Sequence, residues 1–114
     1  MTFLEAIARE EGWLDPHSRC RRNNNPGNIE AGRFAKAHGS IGSDGRFAIF
    51  LTPEAGFAAM RALFQAPGYL GATVAGAIAR WAPPVENDTG DYIRNVCAWV
   101  HCKPEDLLDP LLAV

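Results

Sequence analysis

The stretch GSIGSDGRFAIFLTPE, residues 39–54, decides the fold class of this chain. Its first seven residues are dense in turn formers, and residues 46–50 are rich in side chains that favour strands. The final Thr-Pro-Glu supplies an N-cap, a proline at the first helical position and an acid in the first turn of a helix. We therefore expect β-structure over residues 29–51, in two or three strands, with a helix directly after it.

Helical periodicity appears on both sides of this stretch. Upstream, Thr2 and Glu5 form a capping-box pattern, and an apolar stripe follows until Gly12 ends it. Residues 13–28 show no period and predict an ordered loop. Downstream, the apolar spacing predicts helices at 53–66, 74–81 and 89–100 and a last helical turn from 104. The expected fold is α+β: a single domain over residues 1–114, mostly helical, with a small antiparallel sheet after the first helix.

The composition excludes several classes of protein. Of the 114 residues, 47% are hydrophobic and 21% are charged, unlike the balance of disordered or fibrous chains. The 11 basic and 13 acidic side chains give a net charge of −2, whereas nucleic-acid-binding proteins usually carry a clear basic excess. No run of about eighteen apolar residues is present. We therefore expect no nucleic-acid partner and no membrane span.

The N-terminus and the cysteines indicate where the chain is made. Glu5 and Arg9 interrupt the first apolar segment too early for a signal peptide, so we expect synthesis in the cytoplasm. Cys20, Cys97 and Cys102 are an odd number without a framework spacing, which predicts free thiols. Cys97 and Cys102 also lie too close together in a helical tail to bridge easily, whereas a bridge from Cys20 to either of them is geometrically open.

Glu11 is the first candidate for catalysis. It follows Ile7 by four positions and Leu4 by seven, so it extends the core-facing stripe at the C-terminal end of the first helix. Burial and the negative end of the helix dipole both disfavour a charged carboxylate there. A carboxyl that keeps its proton near neutral pH is what a general acid at a glycosidic oxygen requires. The alternative is a surface glutamate at a frayed helix end.

A cluster of amides follows in the sequence RRNNNPGNI, residues 21–29. Asparagines before Pro-Gly can bond their own backbone in a turn. They can equally offer donors and acceptors to an uncharged polar ligand, such as a sugar hydroxyl or an N-acetyl group. We predict substrate contacts from Arg22, Asn25 and Asn28, with turn chemistry as the alternative. Arg22 can also orient a carboxylate through an ion pair.

A third candidate region is RWAPPVENDTGDY, residues 80–92. Its stiff Pro-Pro loop joins two predicted helices and places four side chains suited to carbohydrate near one end of them: Trp81, Glu86, Asn87 and Tyr92. We predict that these four bind substrate, together with Phe47 of the β-prone run. The alternative for the Trp and Tyr is core packing, and Asp88 is expected to cap the second helix.

Three motifs occur in this order: Glu-Gly-Trp at 11–13, Arg-Asn-Asn-Asn-Pro-Gly-Asn-Ile at 22–29 and Trp-Ala-Pro-Pro-x-Glu-Asn-Asp-Thr-x-x-Tyr at 81–92. On these motifs the chain resembles, over most of its length, the lysozyme-like domains of phage virion and endolysin-type proteins. The resemblance implies a lysozyme-like fold that cleaves the glycan strands of bacterial peptidoglycan. It also implies an essential glutamate at the end of the first long helix, a position that Glu11 matches. We expect a monomer that reaches the cell wall through a holin, a secretion machine or the virion.

The resemblance leaves two mechanisms open. A second carboxylate across a cleft would activate water for hydrolysis, and Glu30 on the first predicted strand is the first candidate, beside Asp15 and Asp44. Without one, Glu11 acts as acid and then as base while the substrate's own 6-hydroxyl attacks, which gives the anhydro-sugar product of a lytic transglycosylase. The loop after Glu11 lacks the Asp and Thr arrangement of phage lysozymes, and this favours the transglycosylase.

Three other interpretations are weighed against an enzyme. A lysozyme-like domain can be a glycan-binding or structural module of a phage particle that does not cut. A helix-turn-helix is disfavoured because the connection over residues 82–88 is too long for the turn of that motif. A zinc site is disfavoured because no standard ligand spacing is present, so we expect no metal and no cofactor. The side chains considered for zinc are His17, Cys20, Cys97, His101 and Cys102.

Overall fold

The computed structural model describes residues 1–113, in which seven α-helices, one short 3-10 helix (Pro67–Tyr69) and two strands are present. In chain order they are α1 (Phe3–Glu10), α2 (Arg19–Arg22), α3 (Arg33–Ala37), β1 (Ser40–Ser43), β2 (Ala48–Phe50), α4 (Pro53–Phe64), α5 (Val74–Trp81), α6 (Thr89–Val100) and α7 (Asp109–Leu112). The predicted α+β class, mostly helical with a small antiparallel sheet, is confirmed. Two densely packed units result: a central unit of residues 7–63, and a terminal unit of residues 1–6 and 64–113.

The first helix begins as the capping-box pattern predicts. The backbone N–H of Thr2 donates to Glu5 Oε1 at 2.8 Å, and the N–H of Glu5 donates to Thr2 Oγ1 at 3.2 Å. These bonds satisfy backbone donors that have no partner inside the helix. They also hold the pKa of the Glu5 carboxyl below its usual value. The apolar stripe of this helix is buried, with Phe3 and Ile7 both 0% exposed.

Two short helices lie where the sequence predicts loop or strand. Within the aperiodic segment, α2 is capped by Ser18, whose Oγ accepts from the N–H of Arg21 at 3.3 Å. The other, α3, interrupts the region predicted as β-structure. Helices of four and five residues are too short to show a 3.6-residue period, so the pattern carried no signal for them.

The sheet has two strands rather than three. β1 and β2 pair antiparallel, with an irregularity of register between Ser40 and Gly42. The predicted first strand contributes only an isolated bridge between Glu30 and Phe47. β1 lies inside the segment predicted as turn, because the chain reverses only at residues 44–46, after the serines and glycines have already paired.

The helices of the terminal unit begin at the predicted caps. Thr73 Oγ1 accepts from the N–H of Gly76 at 3.1 Å, and Asp88 Oδ1 accepts from the N–H of Asp91 at 3.0 Å. Inside this unit three aromatic rings pack against the ring of Phe64. The centroid of the Phe64 ring lies 5.1 Å from that of Phe3, 5.2 Å from that of Tyr69 and 4.3 Å from that of Trp81.

Residues 104–108 form a strap against the start of α5, where the sequence predicted a helical turn. Their carbonyls accept from Val74 N–H at 2.8 Å and from Ala75 N–H at 2.9 Å, and the N–H of Leu108 donates to the Ala72 carbonyl at 3.0 Å. The last helix, α7, therefore begins only at Asp109. Over residues 1–113, no helix combines the length and the apolar character that crossing a bilayer requires.

Candidate active site

The end of α1 is a fixed turn and not a frayed one. Gly12 has a φ of +103°, which a residue with a side chain adopts only under strain. The N–H of Trp13 donates to the Ala8 carbonyl at 2.9 Å, and the N–H of Gly12 donates to the Arg9 carbonyl at 3.1 Å. These bonds form the Schellman arrangement that closes helix C-termini around a glycine. Glu11 therefore leaves the helix in a defined direction.

The Glu11 side chain is half-buried and held by an amide. Asn28 Nδ2 donates to Glu11 Oε1 at 3.2 Å and lies 3.5 Å from the Glu11 carbonyl oxygen. The Cys20 thiol also donates to that carbonyl at 3.5 Å. We refer to Glu11, Cys20 and Asn28 together as the Glu11 site.

Asn28 itself occupies a special position in the chain. Its φ is +49°, in the left-handed region that asparagine tolerates better than most residues. Its Oδ1 is buried and accepts no hydrogen bond from residues 1–113. The sequence predicted Asn28 as a substrate ligand, whereas the structure directs its amide N–H at the candidate acid. We therefore assign Asn28 the role of positioning the Glu11 carboxyl.

Turn chemistry accounts for the other predicted asparagine. Asn25 is 0% exposed, and its Nδ2 donates to the carbonyls of Ile29 and Ala48, both at 2.9 Å. Its Oδ1 accepts from the N–H of Ile29 at 2.9 Å. The predicted substrate contact is replaced by a structural role, because this side chain has no surface left for a ligand. It joins the turn of residues 23–28, which we call the amide turn, to Ala48 of β2.

Asp44, one of the three acids considered as a second carboxylate, links α2 to the turn between β1 and β2. It accepts from Arg19 Nε at 2.5 Å and Arg19 NH2 at 2.9 Å, and from Asn23 Nδ2 at 2.8 Å. The N–H groups of Arg46 and Phe47 also donate to it, at 3.0 and 2.8 Å. The Arg19 guanidinium, followed by the other donors, holds the pKa of Asp44 far below its usual range. A carboxylate so stabilised is a weak general base.

This ion pair predicts a pH-dependent stability. The pKa of Asp44 is lower in the folded chain than the value of about 3.9 expected when unfolded, so its contribution is present above that pH and is lost as the pH falls below it. We expect Asp44→Asn to lower Tm at pH 7, with a difference from wild type that narrows below about pH 4. Thermal melts across pH measure this.

Asp15→Asn provides the matched control for that series. Asp15 accepts from the N–H of His17 at 2.9 Å and has no guanidinium partner within residues 1–113. We expect this variant to change Tm less than Asp44→Asn does. A Tm difference for Asp44→Asn that stays constant down to about pH 2 would contradict the assignment.

Three predicted site residues of the central unit face solvent or cationic side chains: Glu30, Phe47 and Arg22. The Glu30 side chain is 68% exposed and contacts Arg46 NH2 at 3.4 Å. Over the Phe47 ring lie the guanidinium groups of Arg19 at 4.6 Å and Arg46 at 4.7 Å, so cations occupy the ring predicted to contact sugar. Arg22 is exposed, and its NH1 donates to the His17 carbonyl at 2.6 Å, not to a carboxylate.

The remaining predicted residues belong to the terminal unit. Tyr92 is 5% exposed and has the packing role given as the alternative, whereas Trp81 stacks on Phe64 and is only half-buried. Glu86 and Asn87 are exposed on the Pro-Pro loop, where Asn87 Nδ2 donates to the Pro83 carbonyl at 3.3 Å. Of this set, these two and the exposed part of Trp81 remain accessible to a ligand.

The sequence analysis did not predict the side-chain contacts at the turn that follows Glu11. Trp13 packs edge-on against Phe57, with ring centroids 5.5 Å apart, and the Arg21 guanidinium lies 4.7 Å over its ring. Arg21 NH1 also donates to the Trp13 carbonyl at 2.8 Å. Burial raises the pKa of the Cys20 thiol, which keeps it a neutral donor to the helix end. No regular spacing links these residues, because their contacts join three separate segments: the turn after α1, helix α2 and helix α4.

Comparison with known proteins gives one informative match. No family model matches the chain. The chain is 39% identical over 89 residues to Protein P5 of Pseudoalteromonas phage PM2, an alignment covering 73% of this chain and 56% of P5. The chain thus spans little more than half the length of this relative. The candidate site is therefore found in a chain that is similar to a phage protein.

Proposed function

We propose that this chain is a peptidoglycan-degrading glycosidase in which Glu11 is the general acid. One observation carries the proposal: a half-buried carboxyl at the end of α1, with its Oε1 accepting from Asn28 Nδ2 at 3.2 Å. The hydrogen bond holds the carboxyl in one orientation before reaction, and the same donor stabilises the charge once the proton has left. A general acid needs both properties.

The amide of Asn28 acts in the step that breaks the glycosidic bond. The Glu11 proton moves to the glycosidic oxygen, the bond from that oxygen to the sugar C1 breaks, and Glu11 becomes a carboxylate. A hydrogen bond to an ionised acceptor is stronger than one to a neutral acceptor, so the bond from Asn28 strengthens as the charge develops. This difference between the two states lowers the barrier.

The environment of the other acids favours a lytic transglycosylase over a hydrolase. Asp44 is bound by five donors, and Glu30 pairs with Arg46 in water. In the transglycosylase reaction the substrate's 6-hydroxyl attacks C1, forms the new C1–O6 bond and gives its proton to the Glu11 carboxylate. Glu11 is restored, and no second carboxylate and no water are needed.

The similarity to a phage protein supports this proposal at a coarser level. Phages face a bacterial wall when they enter and leave a cell, and enzymes that cut glycan strands open that wall. Nothing in the name of Protein P5 specifies an activity. The assignment to peptidoglycan therefore depends on the Glu11 site and on the sequence motifs.

Product analysis tests both the activity and its mechanism. The purified chain is incubated with purified peptidoglycan, and the released fragments are measured by mass spectrometry. We expect the turbidity to fall and the fragments to end in anhydro-muramyl residues, which are lighter by one water than reducing ends. Reducing ends would establish the hydrolase instead. Unchanged turbidity, with the chain bound to the pelleted wall, would reject the enzyme and favour a binding module.

A further inference from the structure

Cys97 and Cys102 lie on the two sides of the turn that ends α6. His101 between them has the left-handed conformation, with φ 61° and ψ 48°. The N–H of Cys102 donates to the Cys97 carbonyl at 3.1 Å, which is the long hydrogen bond of a Schellman cap. In that motif the side chains at these two positions commonly contact each other. The fold therefore places these two thiols opposite each other, although the sequence alone suggested that they were too close together to bridge.

The two thiols also contact each other and differ in character. Cys97 is buried, and the pKa of its thiol is raised to about 12, first by burial and then by the hydrogen bond to Cys102. The pKa of Cys102 is also raised, chiefly by burial, and the hydrogen bond from Cys97 only partly offsets that rise. Cys102 is the more exposed of the pair. It is therefore the thiol that a reagent meets first.

We propose that Cys97 and Cys102 form an oxidation site, which closes to an intramolecular disulfide by exchange with a small-molecule disulfide. Cys102 loses its proton and attacks one sulfur of the reagent, whose S–S bond breaks and releases one thiol. Cys97 then loses its proton and attacks the Cys102 sulfur of the mixed disulfide, which releases the second thiol. The protein loses two hydrogens, and the reagent is reduced to two thiols.

The location of the pair gives the bond a structural effect. Cys102 begins the segment that leads into the strap of residues 104–108, whose backbone bonds hold the start of α5. A bond from Cys97 to Cys102 would fix the last turn of α6 to this segment. The reduced form suits a cytoplasm, and the closed form suits an oxidising compartment. This inference does not depend on the glycosidase proposal.

Thiol counting tests the closure. The reduced chain is incubated with oxidised glutathione, alkylated with iodoacetamide under denaturing conditions and digested with trypsin. Trypsin cuts after Arg94 but not after Lys103, because proline follows, so one peptide of residues 95–114 contains both cysteines. We expect this peptide to be lighter by two hydrogens and unalkylated, while Cys20 remains alkylated. We also expect Tm to rise by about 5 °C on oxidation, reversibly with dithiothreitol.

Single substitutions identify the partners. Cys20→Ser should close as wild type does, whereas Cys97→Ser should stop at a stable mixed disulfide on Cys102. Three alkylated thiols after oxidation of the wild type would overturn the proposal, and so would a mixed disulfide on Cys102 that persists. A fall in Tm on closure would also overturn it, because a strained bond is not what the cap geometry supports.

Discussion

Replacement of Glu11 by Gln should abolish lysis of purified peptidoglycan, with a loss of at least about 100-fold in rate, the scale of a missing general acid. The Gln side chain has no proton of suitable acidity to give to the glycosidic oxygen. Its amide oxygen can still accept the hydrogen bond that Asn28 Nδ2 gives to Glu11 Oε1. We therefore expect the variant to melt within about 2 °C of wild type, since the replacement has nearly the same shape and keeps this hydrogen bond. Turbidity assays and thermal melts measure the two quantities.

Asn28→Gly tests the proposed role of the Asn28 amide in the same reaction. Glycine adopts the positive φ of Asn28 without strain, so this variant removes the amide and keeps the backbone. We expect kcat to fall about tenfold with KM little changed, as for a group that acts only in the transition state. Asn24→Gly is the matched control, because Asn24 has a φ of +50° but bonds the carbonyls of Phe50 and Leu51. Equal lysis by wild type and Glu11→Gln would place the acid elsewhere.

Gly56→Ala should have the largest effect on stability. Gly56 lies on α4, and a Cβ atom there would be 2.0 Å from the carbonyl oxygen of Asn24 and 2.7 Å from Pro26 Cδ. Alanine is normally better than glycine inside a helix by about 1 kcal/mol. Here the overlap is with backbone, so the helix must move away from the amide turn. We expect a net loss of about 3 kcal/mol in the free energy of unfolding, measured by urea denaturation.

Gly90→Ala on α6 provides the opposite control. A Cβ there would lie 3.5 Å from Arg94 NH1, the mobile end of a long side chain, and no backbone is close. We expect unfolding free energy to be unchanged or to rise by up to about 1 kcal/mol. If the two variants have the same stability, the close contact between α4 and the amide turn is not present in solution.

Local sequence signals predicted the helix starts well. The capping box of Thr2 and Glu5, the cap of Thr73 and the cap of Asp88 all lie where the sequence placed them. Each of these signals acts through hydrogen bonds between residues three positions apart. The α+β class followed from the same local patterns, because a turn-rich segment with a β-prone run stood between helical ones.

The contacts that shape the Glu11 site were beyond local pattern. Cys20 and Glu11 are 9 positions apart, and Asn28 and Glu11 are 17 positions apart. Whether an asparagine faces a ligand or the protein depends on which segment folds against it. The sequence could therefore identify the amide cluster but could not distinguish Asn25, which is buried in the turn, from Asn28, which contacts the acid.

The tryptophans are distributed so that the central unit and the terminal unit each contain a fluorescent reporter. Trp13 lies against Phe57 in the central unit, and Trp81 lies on Phe64 in the terminal unit. Replacing the other tryptophans by phenylalanine, one set at a time, would yield proteins whose emission follows a single half. Coincident emission transitions in denaturant would establish cooperative unfolding of the whole chain, and separate transitions would reveal an intermediate with one half intact.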